Sequence, residues 1–459
     1  MRLSKADLPG RVNGNLHLRV QAKALTSFAG LELIRRYFRS IDLAGRIRRH
    51  LSGLELGGDY GVVSMILLVL GLLICGGRRL QHLLYLKEDA MVLRLTGLKR
   101  LPTPRTLGRW LRRFRLEHVE RLLRVNDELV AEAIRQAGLR RLTLDVDGTT
   151  VSTGLKVQWA FRGFNPHHRK VPSYYPVTAY EAQTGQIFRV RNRPGNVHDG
   201  KASLGFLRDV FAQVRRTLGR RYLLEFRMDG AFFRQDVLRY LENQRAEYAI
   251  KIPFYFWIGL KGIIQRRRRW KRVDNQVSCF SKVIHLKPWN RQIQVVVYRK
   301  RVFHRSRKNF QLDLFDPADG YFEYSAIATN KTLNGRNLWA FLNGRGTHEK
   351  AYGELKNGFA FDSIPTHHYG ANSAWQALSV MAHNLIKSFQ VATTAARRPA
   401  TRKRRARYAL EAIHTLRYKW INRAGVLIHP DGYPTLDVGS STEVKNRFTE
   451  IDARLQKAA

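Results

Sequence analysis

Two β-rich runs in the middle of the chain end in the same dipeptide. The run "LTLDVDG" ends in Asp147-Gly148, and the run "LLEFRMDG" ends in Asp229-Gly230. Helical patterns such as "KASLGFLRDVFAQVRRTL" and "FRQDVLRYLENQ" alternate with these and other short strands. Strands that alternate with helices predict a mixed α/β core. Ligands of such folds collect at the carboxyl ends of the strands, so these two aspartates are the first candidates for a functional site.

Each aspartate also has a purely structural interpretation. Asp-Gly is the commonest two-residue hairpin turn, and the "TTVST" that follows Asp147 could supply the partner strand. Asp229 precedes a helical run, where it could be no more than an N-cap. Asp145 lies two residues before Asp147 and therefore points to the same side of the strand. We favour Asp147 because it lies nearer the strand end, and the choice between the two stays open.

The periodicity of the sequence divides the chain into five regions. The first is helical, the α/β core follows in two parts with a β-rich and very basic insertion between them, and the last region is basic. We predict their bounds as 1–138, 139–253, 254–330, 331–395 and 396–459. The second part of the core carries the helix of the stretch "GRGTHEKAYGELKNGF".

The charge of the chain indicates its partner. There are 81 Lys and Arg residues against 36 Asp and Glu residues, a net charge of +45. A surface this basic repels itself unless a polyanion neutralises it, so double-stranded DNA or another nucleic acid is the predicted partner. The alternative is a ribosome-associated or simply solvated basic protein. Hydrophobic residues at 44% and aromatic residues at 11% exclude a disordered basic tail.

Membrane insertion and cysteine chemistry are disfavoured. The apolar run from Val62 to Cys75 has 14 residues, which suits a buried helix better than a bilayer span. The N-terminus lacks the apolar core of a signal peptide. The only cysteines, Cys75 and Cys279, are far apart, so we expect neither a disulfide nor a zinc site. These features fit a reducing cytosol.

A basic helix stands out in the N-terminal region. In "LPTPRTLGRWLRRF", Thr103 is a suitable N-cap and Pro104 suits the first helical position. Arginines fall on one face and apolar residues on another; these are Arg105, Arg109 and Arg112 against Leu107, Leu111 and Phe114. That arrangement is typical of the recognition helix of a helix-turn-helix. An ordinary amphipathic helix with a solvated basic face explains it equally well.

A third carboxylate completes a possible catalytic set. Two aspartates on neighbouring strands and one carboxylate from a distant helix can hold two Mg²⁺ ions for phosphoryl transfer. Glu349 and Glu354 in the "GRGTHEKAYGELKNGF" stretch are the candidates. Other chemistries are less well supported. Cys279 has no obvious base, the histidines of "NPHHRK" and "NVHDG" lack metal-site spacing, and no Walker motif or GxGxxG is present.

The order of these motifs resembles that of a known family. The segments "LDVDGTT", "TGQIFRVRNRPGN", "MDGAFF" and "TNKT…GRGTHEKAYGELKNGF" resemble the DDE (Asp-Asp-Glu) transposases of bacterial insertion sequences, with wording nearest the insertion sequence 1380 family. The family motif of Tyr, two residues, Arg, three residues, Glu, six residues, Lys matches at Arg345, Glu349 and Lys356. Leu342 stands at the Tyr position, and Tyr352 is a nearby substitute.

The resemblance implies a fold, a reaction and a site. The fold would be an RNase H-like mixed sheet interrupted by a β-rich insertion, behind an α-helical N-terminal DNA-binding domain. The protein would cut at terminal inverted repeats and join the 3′-hydroxyls to target DNA, as a homodimer in the bacterial cytoplasm. Asp147, Asp229 and Glu349 would bind two Mg²⁺ ions, which Mn²⁺ could replace. Arg345 and Lys356 would grip the DNA backbone.

Helical geometry distinguishes the two glutamates. At about 100° per residue, positions 345, 349 and 356 fall within about 40° of one another. Glu354 lies about 140° from Glu349, so we expect it to be solvated or ion-paired. In the insertion, Trp270 and Trp289 are candidates for stacking on an unpaired base, with core packing as the alternative. The rival functions are a catalytically silent DNA-binding protein and an RNase H-fold nuclease.

Overall fold

A computed structural model describes most of the chain. The described residues are 25–163, 165, 168, 170–302, 322–396, 408–439 and 441–458. The first 24 residues and the basic run "RRPATRKRRAR" at 397–407 lie outside the described residues.

Most helices of the described chain lie before residue 137 or after residue 334. They are α1 (Leu31–Ser40), α2 (Leu43–Leu51), α3 (Val62–Cys75), α4 (Ala90–Thr96), α5 (Pro104–Leu111), α6 (Leu116–Gln136), α7 (Ser203–Thr217), α8 (Gln235–Asn243), α9 (Leu260–Gln265), α10 (Gly335–Asn343), α11 (Gly346–Phe359), α12 (Tyr369–Thr393), α13 (Ile413–Leu416) and α14 (Thr442–Ala458). Short 3₁₀ turns join some of them, as at Leu80–Leu86, Gly230–Phe232 and Phe256–Ile258.

Strands dominate the middle of the chain. They are β1 (Leu25–Thr26), β2 (Arg141–Gly148), β3 (Val151–Ser152), β4 (Ser173–Tyr174), β5 (Val177–Glu181), β6 (Gln186–Arg191), β7 (Leu223–Met228), β8 (Glu247–Ile252), β9 (Lys271–Arg272), β10 (Val277–Leu286), β11 (Arg291–Arg301), β12 (Phe322–Thr329), β13 (Gly425–Ile428) and β14 (Thr435–Val438).

One nine-stranded sheet carries the fold, in the order β6-β5-β2-β7-β8-β12-β11-β10-β9. Strands β6, β5 and β2 are antiparallel neighbours, whereas β2, β7 and β8 run parallel. This mixed five-stranded unit is the RNase H-like core that the sequence predicted. The strands of the insertion do not form a separate sheet, because β12 pairs with β8 and so continues the core sheet outward.

Helix α12 lies at the centre of the molecule. Nearly all of its side chains are buried, and it packs against α6, α3 and β6. Asn384 on this helix accepts the N–H of Ile187 and donates to the Ile187 carbonyl, at 2.8 Å each. Strand β6 is the edge of the sheet, and an uncovered edge leaves backbone groups unpaired. The helix therefore satisfies part of that edge with a side-chain amide.

The apolar run Val62–Cys75 forms α3, which is buried in the core as predicted. Within the described residues, no single helix is long and apolar enough to cross a membrane; α3 and the turn Leu80–Leu86 pass that test only as a pair bent by 85°. Arg417 fixes the end of α3. Its guanidinium donates to the carbonyls of Leu73 and Ile74 and to that of Gly358, at 2.6–2.7 Å. It thereby supplies donors that the helix terminus lacks.

Candidate active site

The site is built on the alternation of strand β2. Leu142, Leu144 and Val146 belong to the hydrophobic core on one face of the sheet. Asp145 and Asp147 therefore point to the opposite face, since successive side chains of a strand alternate. The hairpin interpretation of Asp147-Gly148 is wrong: β2 pairs with β5 and β7, and β3 pairs with β4 instead.

Asp145 forms a buried ion pair. Arg227 of β7 donates to both carboxylate oxygens of Asp145, from Nε at 2.5 Å and from Nη2 at 2.7 Å. Burial raises the pKa of Asp145, and Arg227 opposes that rise. Both residues are almost fully buried. Asp145 therefore neutralises Arg227 inside the protein, and Asp147 is the carboxylate at the end of the strand.

Asp147 and Asp229 lie at the ends of adjacent parallel strands. β2 and β7 pair up to Val146 and Met228, one residue before each aspartate. Burial, followed by the charges of Asp229 and Asp199, raises the pKa of Asp147 to about 7 against the opposing effect of Arg345. Burial also raises the pKa of Asp229. Asp229 accepts the N–H of Ala231 at 2.9 Å, so it caps the following turn as well.

Helix α11 lies over the end of β2 and contacts it through three side chains. Arg345 pairs with Asp147, with Nη2 2.6 Å from Oδ2. The Tyr352 hydroxyl donates to the Asp147 carbonyl at 2.7 Å, and Lys356 Nζ donates to the Thr150 carbonyl at 2.9 Å. The side chains of the predicted Arg and Lys positions thus contact protein groups here. Tyr352 reaches the first aspartate, whereas Leu342 is buried in α10.

Glu349 is exposed on the same side of α11, beside Arg345 and Lys356. It makes no hydrogen bond or ion pair with the residues that the structure describes. Among all the residues that the structure describes, no group of three or more His, Cys, Asp or Glu side chains is close enough to hold a metal ion. The structure therefore brings Asp147 and Asp229 together and leaves Glu349 outside their immediate cluster.

Glu354 occupies the opposite side of α11 and is largely buried. Its carboxylate lies 2.8 Å from Lys387 Nζ on α12 and accepts the N–H of Ile413 at 2.8 Å. Burial acts to raise the pKa of Glu354, but His383 and Lys387 outweigh it and lower this pKa to about 2. Of the two predicted roles, Glu354 is ion-paired rather than solvated. Its charge fastens α11 to α12 and faces away from Asp147.

Asp199 is a further carboxylate at this site, which the sequence analysis did not single out. It pairs with Arg193 at 2.7 Å and accepts the Tyr175 hydroxyl at 2.8 Å. A Cβ at Gly148 would lie 2.4 Å from Asp199 Oδ1, so only glycine fits beside it. The signal in the sequence is another of its five Asp-Gly pairs, in "NVHDG".

The basic N-terminal helix forms as predicted. Thr103 Oγ1 accepts the Thr106 N–H and Pro104 begins α5. The apolar side chains of Leu107, Leu111 and Phe114 are buried. The three arginines of the opposite face are exposed; they are Arg105, Arg109 and Arg112, the last of which is the C-cap. A cleft of about 540 Å³ adjoins this face.

The two tryptophans of the insertion have different surroundings. Trp270 packs edge-on against Phe280, with ring centroids 4.8 Å apart, and the Arg299 guanidinium lies 4.6 Å from its ring. Trp289 instead joins a row of rings that runs from the protein interior to the surface. Its members are Phe233, Trp289, Trp257 and Tyr255, with centroids 4.9, 5.3 and 6.3 Å apart. Beside that row, Phe256 is 98% exposed.

The donors at the strand ends fit a hard divalent cation. Two half-buried carboxylates, Asp147 and Asp229, stand on neighbouring strands, and the charge of Asp229 raises the proton affinity of Asp147. A cation relieves such repulsion, and carboxylate oxygens are ligands that Mg²⁺ prefers.

A known protein family shares this sequence pattern. A family model described as "Transposase DDE domain group 1" matches residues 10–459. Among solved structures, the chain is similar to a piggyBac transposase in a synaptic complex with hairpin DNA. The two are 10% identical with a TM-score of 0.38, over 77% of this chain and 75% of that one. No curated protein sequence matches the chain.

The contrast between the two glutamates generates a stability prediction. Glu354→Gln should lower the free energy of unfolding by about 3–5 kcal/mol, because it leaves the buried charge of Lys387 without its ion-pair partner. Glu349→Gln, at an exposed position, should change it by less than about 0.5 kcal/mol. Chemical denaturation at neutral pH measures both. Equal losses would contradict the assignment of Glu354 as a structural ion pair.

The same variant has a predicted pH dependence. The folded-state pKa of Glu354, about 2, lies below its ordinary value of 4.5. The ionised Glu354 therefore stabilises the folded protein fully above pH 4.5, and this contribution is lost as the pH falls towards 2. The stability difference between the wild type and Glu354→Gln should narrow over that range.

Proposed function

Because this chain belongs to the group 1 family of transposase DDE domains, we propose that it binds the terminal inverted repeats of its own insertion sequence. It then cleaves at these ends and joins the freed 3′-hydroxyls to target DNA by phosphoryl transfer. The observation that carries the proposal is the pair Asp147 and Asp229, held at the ends of adjacent parallel strands under helix α11. The residues of the motifs favour an element of the insertion sequence 1380 type. Such a protein would act in a bacterial cytoplasm.

Asp147, Asp229 and Glu349 would hold the divalent cations. Two Mg²⁺ ions bound there would stabilise negative charge on the attacking and leaving oxygens, and Mn²⁺ would substitute. Glu349 lies on the side of α11 that faces this end of the sheet, and its exposed carboxylate is not used by another residue that the structure describes. To bind the same cations, this carboxylate would have to approach the two aspartates.

The protein's own side chains position the DNA and the aspartates. Arg345 and Lys356 are the cations closest to the strand end, at Asp147 and Thr150. They would bind the phosphates that flank the scissile bond. Tyr352 holds the Asp147 backbone, and Thr178 donates in turn to the Tyr352 hydroxyl at 2.7 Å. This chain of hydrogen bonds fixes the strand end while the substrate is bound.

The catalytic test compares two glutamine variants. We expect Glu349→Gln to bind transposon ends normally and to cleave them in Mg²⁺ at least about a thousandfold more slowly, since it loses one metal ligand. Glu117→Gln, an exposed glutamate on α6, is the matched control and should cleave like the wild type. Gel assays on DNA that flanks the gene measure both steps. Unchanged cleavage by Glu349→Gln would refute the assignment.

The two rival functions have separate outcomes. A nuclease would cleave but yield no strand-transfer product from a pre-cut end. A catalytically silent binder would give no cleavage by the wild type in Mg²⁺ or Mn²⁺. Inverted repeats in the DNA that flanks the gene would favour the transposase over both.

The synaptic complex is proposed to be a homodimer, which light scattering of the protein–DNA complex would reveal by its mass.

The N-terminal helix is proposed to read the inverted repeat. The exposed arginines of α5 carry no core packing, so replacing Arg105, Arg109 and Arg112 with Ala should leave the fold intact and abolish the footprint. Each lost contact to a base edge costs about 1–3 kcal/mol. A control with Arg39, Arg48 and Arg124 replaced removes the same charge from exposed positions elsewhere. A footprint that survives the α5 change would show that α5 is not the reader.

The aromatic row near Asp229 is proposed to stack on an unpaired base at the cut. Phe233 lies four residues after Asp229, and Pro253, at the start of the loop that bears Phe256, lies against Gly230. Of the two predicted tryptophans, this favours Trp289 over Trp270, because the row that contains Trp289 lies near Asp229 and beside the exposed Phe256.

This proposal predicts a difference between the two tryptophans. Trp289→Ala and Phe256→Ala should each weaken binding of an end that carries an unpaired 2-aminopurine by about 1–3 kcal/mol and reduce its fluorescence quenching. Trp270→Ala should leave the quenching unchanged. If only Trp270→Ala reduces it, the wrong tryptophan has been assigned.

A further inference from the structure

Arg345 contacts a predicted metal ligand directly. Its Nη2 lies 2.6 Å from Asp147 Oδ2, and the side chains are only 14% and 24% exposed. Arg345 also opposes the burial that raises the pKa of Asp229, so its charge acts on both aspartates. Lys251 also opposes the rise in the pKa of Asp229, but less strongly than Arg345.

The guanidinium has donor capacity to spare. Its Nε is buried and has no hydrogen-bond partner among the described residues. A guanidinium presents five N–H donors in a planar fork that matches phosphate oxygens in a bidentate manner. Arg345 stands at the junction of α10 and α11. Its guanidinium thus has a donor that no described residue uses.

A divalent cation and a guanidinium at the same carboxylate oppose each other. Both are positively charged, and Arg345 already donates to Asp147 Oδ2. A cation that binds Asp147 therefore competes with Arg345 for that atom and is repelled by its charge. An incoming DNA phosphate removes this competition, because it offers the guanidinium an equivalent anionic partner.

We propose that Arg345 couples DNA binding to divalent-cation binding: it holds Asp147 until a backbone phosphate takes over its guanidinium, and Asp147 then becomes available to the cation. This inference rests on the proposed function. It makes Arg345 a positioning residue as well as a phosphate ligand. By linkage, DNA raises the affinity for the cation and the cation raises the affinity for DNA by the same factor. The divalent cation would thereby bind mainly to protein that already holds DNA.

A purely structural role for the ion pair predicts the opposite result. If Arg345 only fastened α11 to β2, its loss would disorder the strand end and weaken cation binding. If Arg345 competes with the cation, its loss strengthens cation binding in the absence of DNA. The two roles therefore differ in the sign of one measured affinity.

The first experiment measures the Ca²⁺ affinity of the full-length chain by calorimetry without DNA. Ca²⁺ is used in place of Mg²⁺ so that the same titration can be repeated with DNA that stays uncleaved. Arg345→Gln should bind Ca²⁺ about tenfold more tightly than the wild type. Lys350→Gln removes an exposed charge from the same helix and is the matched control, with little change expected. Adding Asp147→Asn to Arg345→Gln should abolish the gain. An equal or weaker affinity in Arg345→Gln overturns the proposal.

A second variant covers a failure of Arg345→Gln to fold. Arg345→Lys keeps the charge but loses the planar fork, so its Ca²⁺ affinity should lie above that of the wild type. An affinity equal to or below the wild type would overturn the proposal through this variant alone. Circular dichroism and thermal melting establish which variant is folded.

The second experiment repeats the titration with saturating duplex DNA from the region that flanks the gene. DNA should raise the Ca²⁺ affinity of the wild type and leave that of Arg345→Gln unchanged. An equal increase in both proteins overturns the coupling. A wild type that binds no divalent cation under either condition overturns the proposed function as well. If the wild type binds the cation and cleaves DNA, and Arg345→Gln has the same Ca²⁺ affinity as the wild type, only the coupling is overturned.

Discussion

The polar face of strand β2 is the feature on which the rest of the site depends. Thr143 donates to the buried Glu225 at 2.5 Å, Asp145 pairs with Arg227, and Asp147 pairs with Arg345. A buried charge is costly unless it is paired, so each partner must be delivered by a neighbouring element. Arg227 also donates to the Phe341 carbonyl of α10 at 2.9 Å. These pairs together place α10 and the start of α11 over the sheet.

Helix α11 is then held on two sides by different interactions. Towards β2 it presents Arg345, Tyr352 and Lys356, which contact Asp147 and Thr150. Towards α12 it presents Glu354, which pairs with Lys387. One helix thus carries a structural glutamate and an exposed one five residues apart. Their different surroundings, rather than their residue type, separate the structural role from the proposed catalytic one.

The surface around the strand ends suits a long polyanion. Asp147 and Asp229 are the acidic centre, and Arg345 and Lys356 provide positive charge beside them. The insertion adds strands β9 to β12 to the same sheet, so its basic and aromatic side chains are positioned by the core itself. A rigid continuation of the sheet holds such groups at a defined distance from the aspartates, which a flexible subdomain would not do.

Local sequence patterns were sufficient for the elements and for part of the site. Alternation identified β2 and β7, the Thr103-Pro104 signal began α5, and a 14-residue apolar run predicted the buried α3. Helical periodicity separated Glu349 from Glu354, because that geometry is set within one helix. The long-range pairs were beyond such reasoning. The Asp145–Arg227 and Asp147–Arg345 pairs, the contribution of Asp199 and the Glu354–Lys387 pair each join residues distant in the chain. Only the tertiary structure decides them, since a buried charge finds its partner through the packing of separate elements and leaves no local pattern.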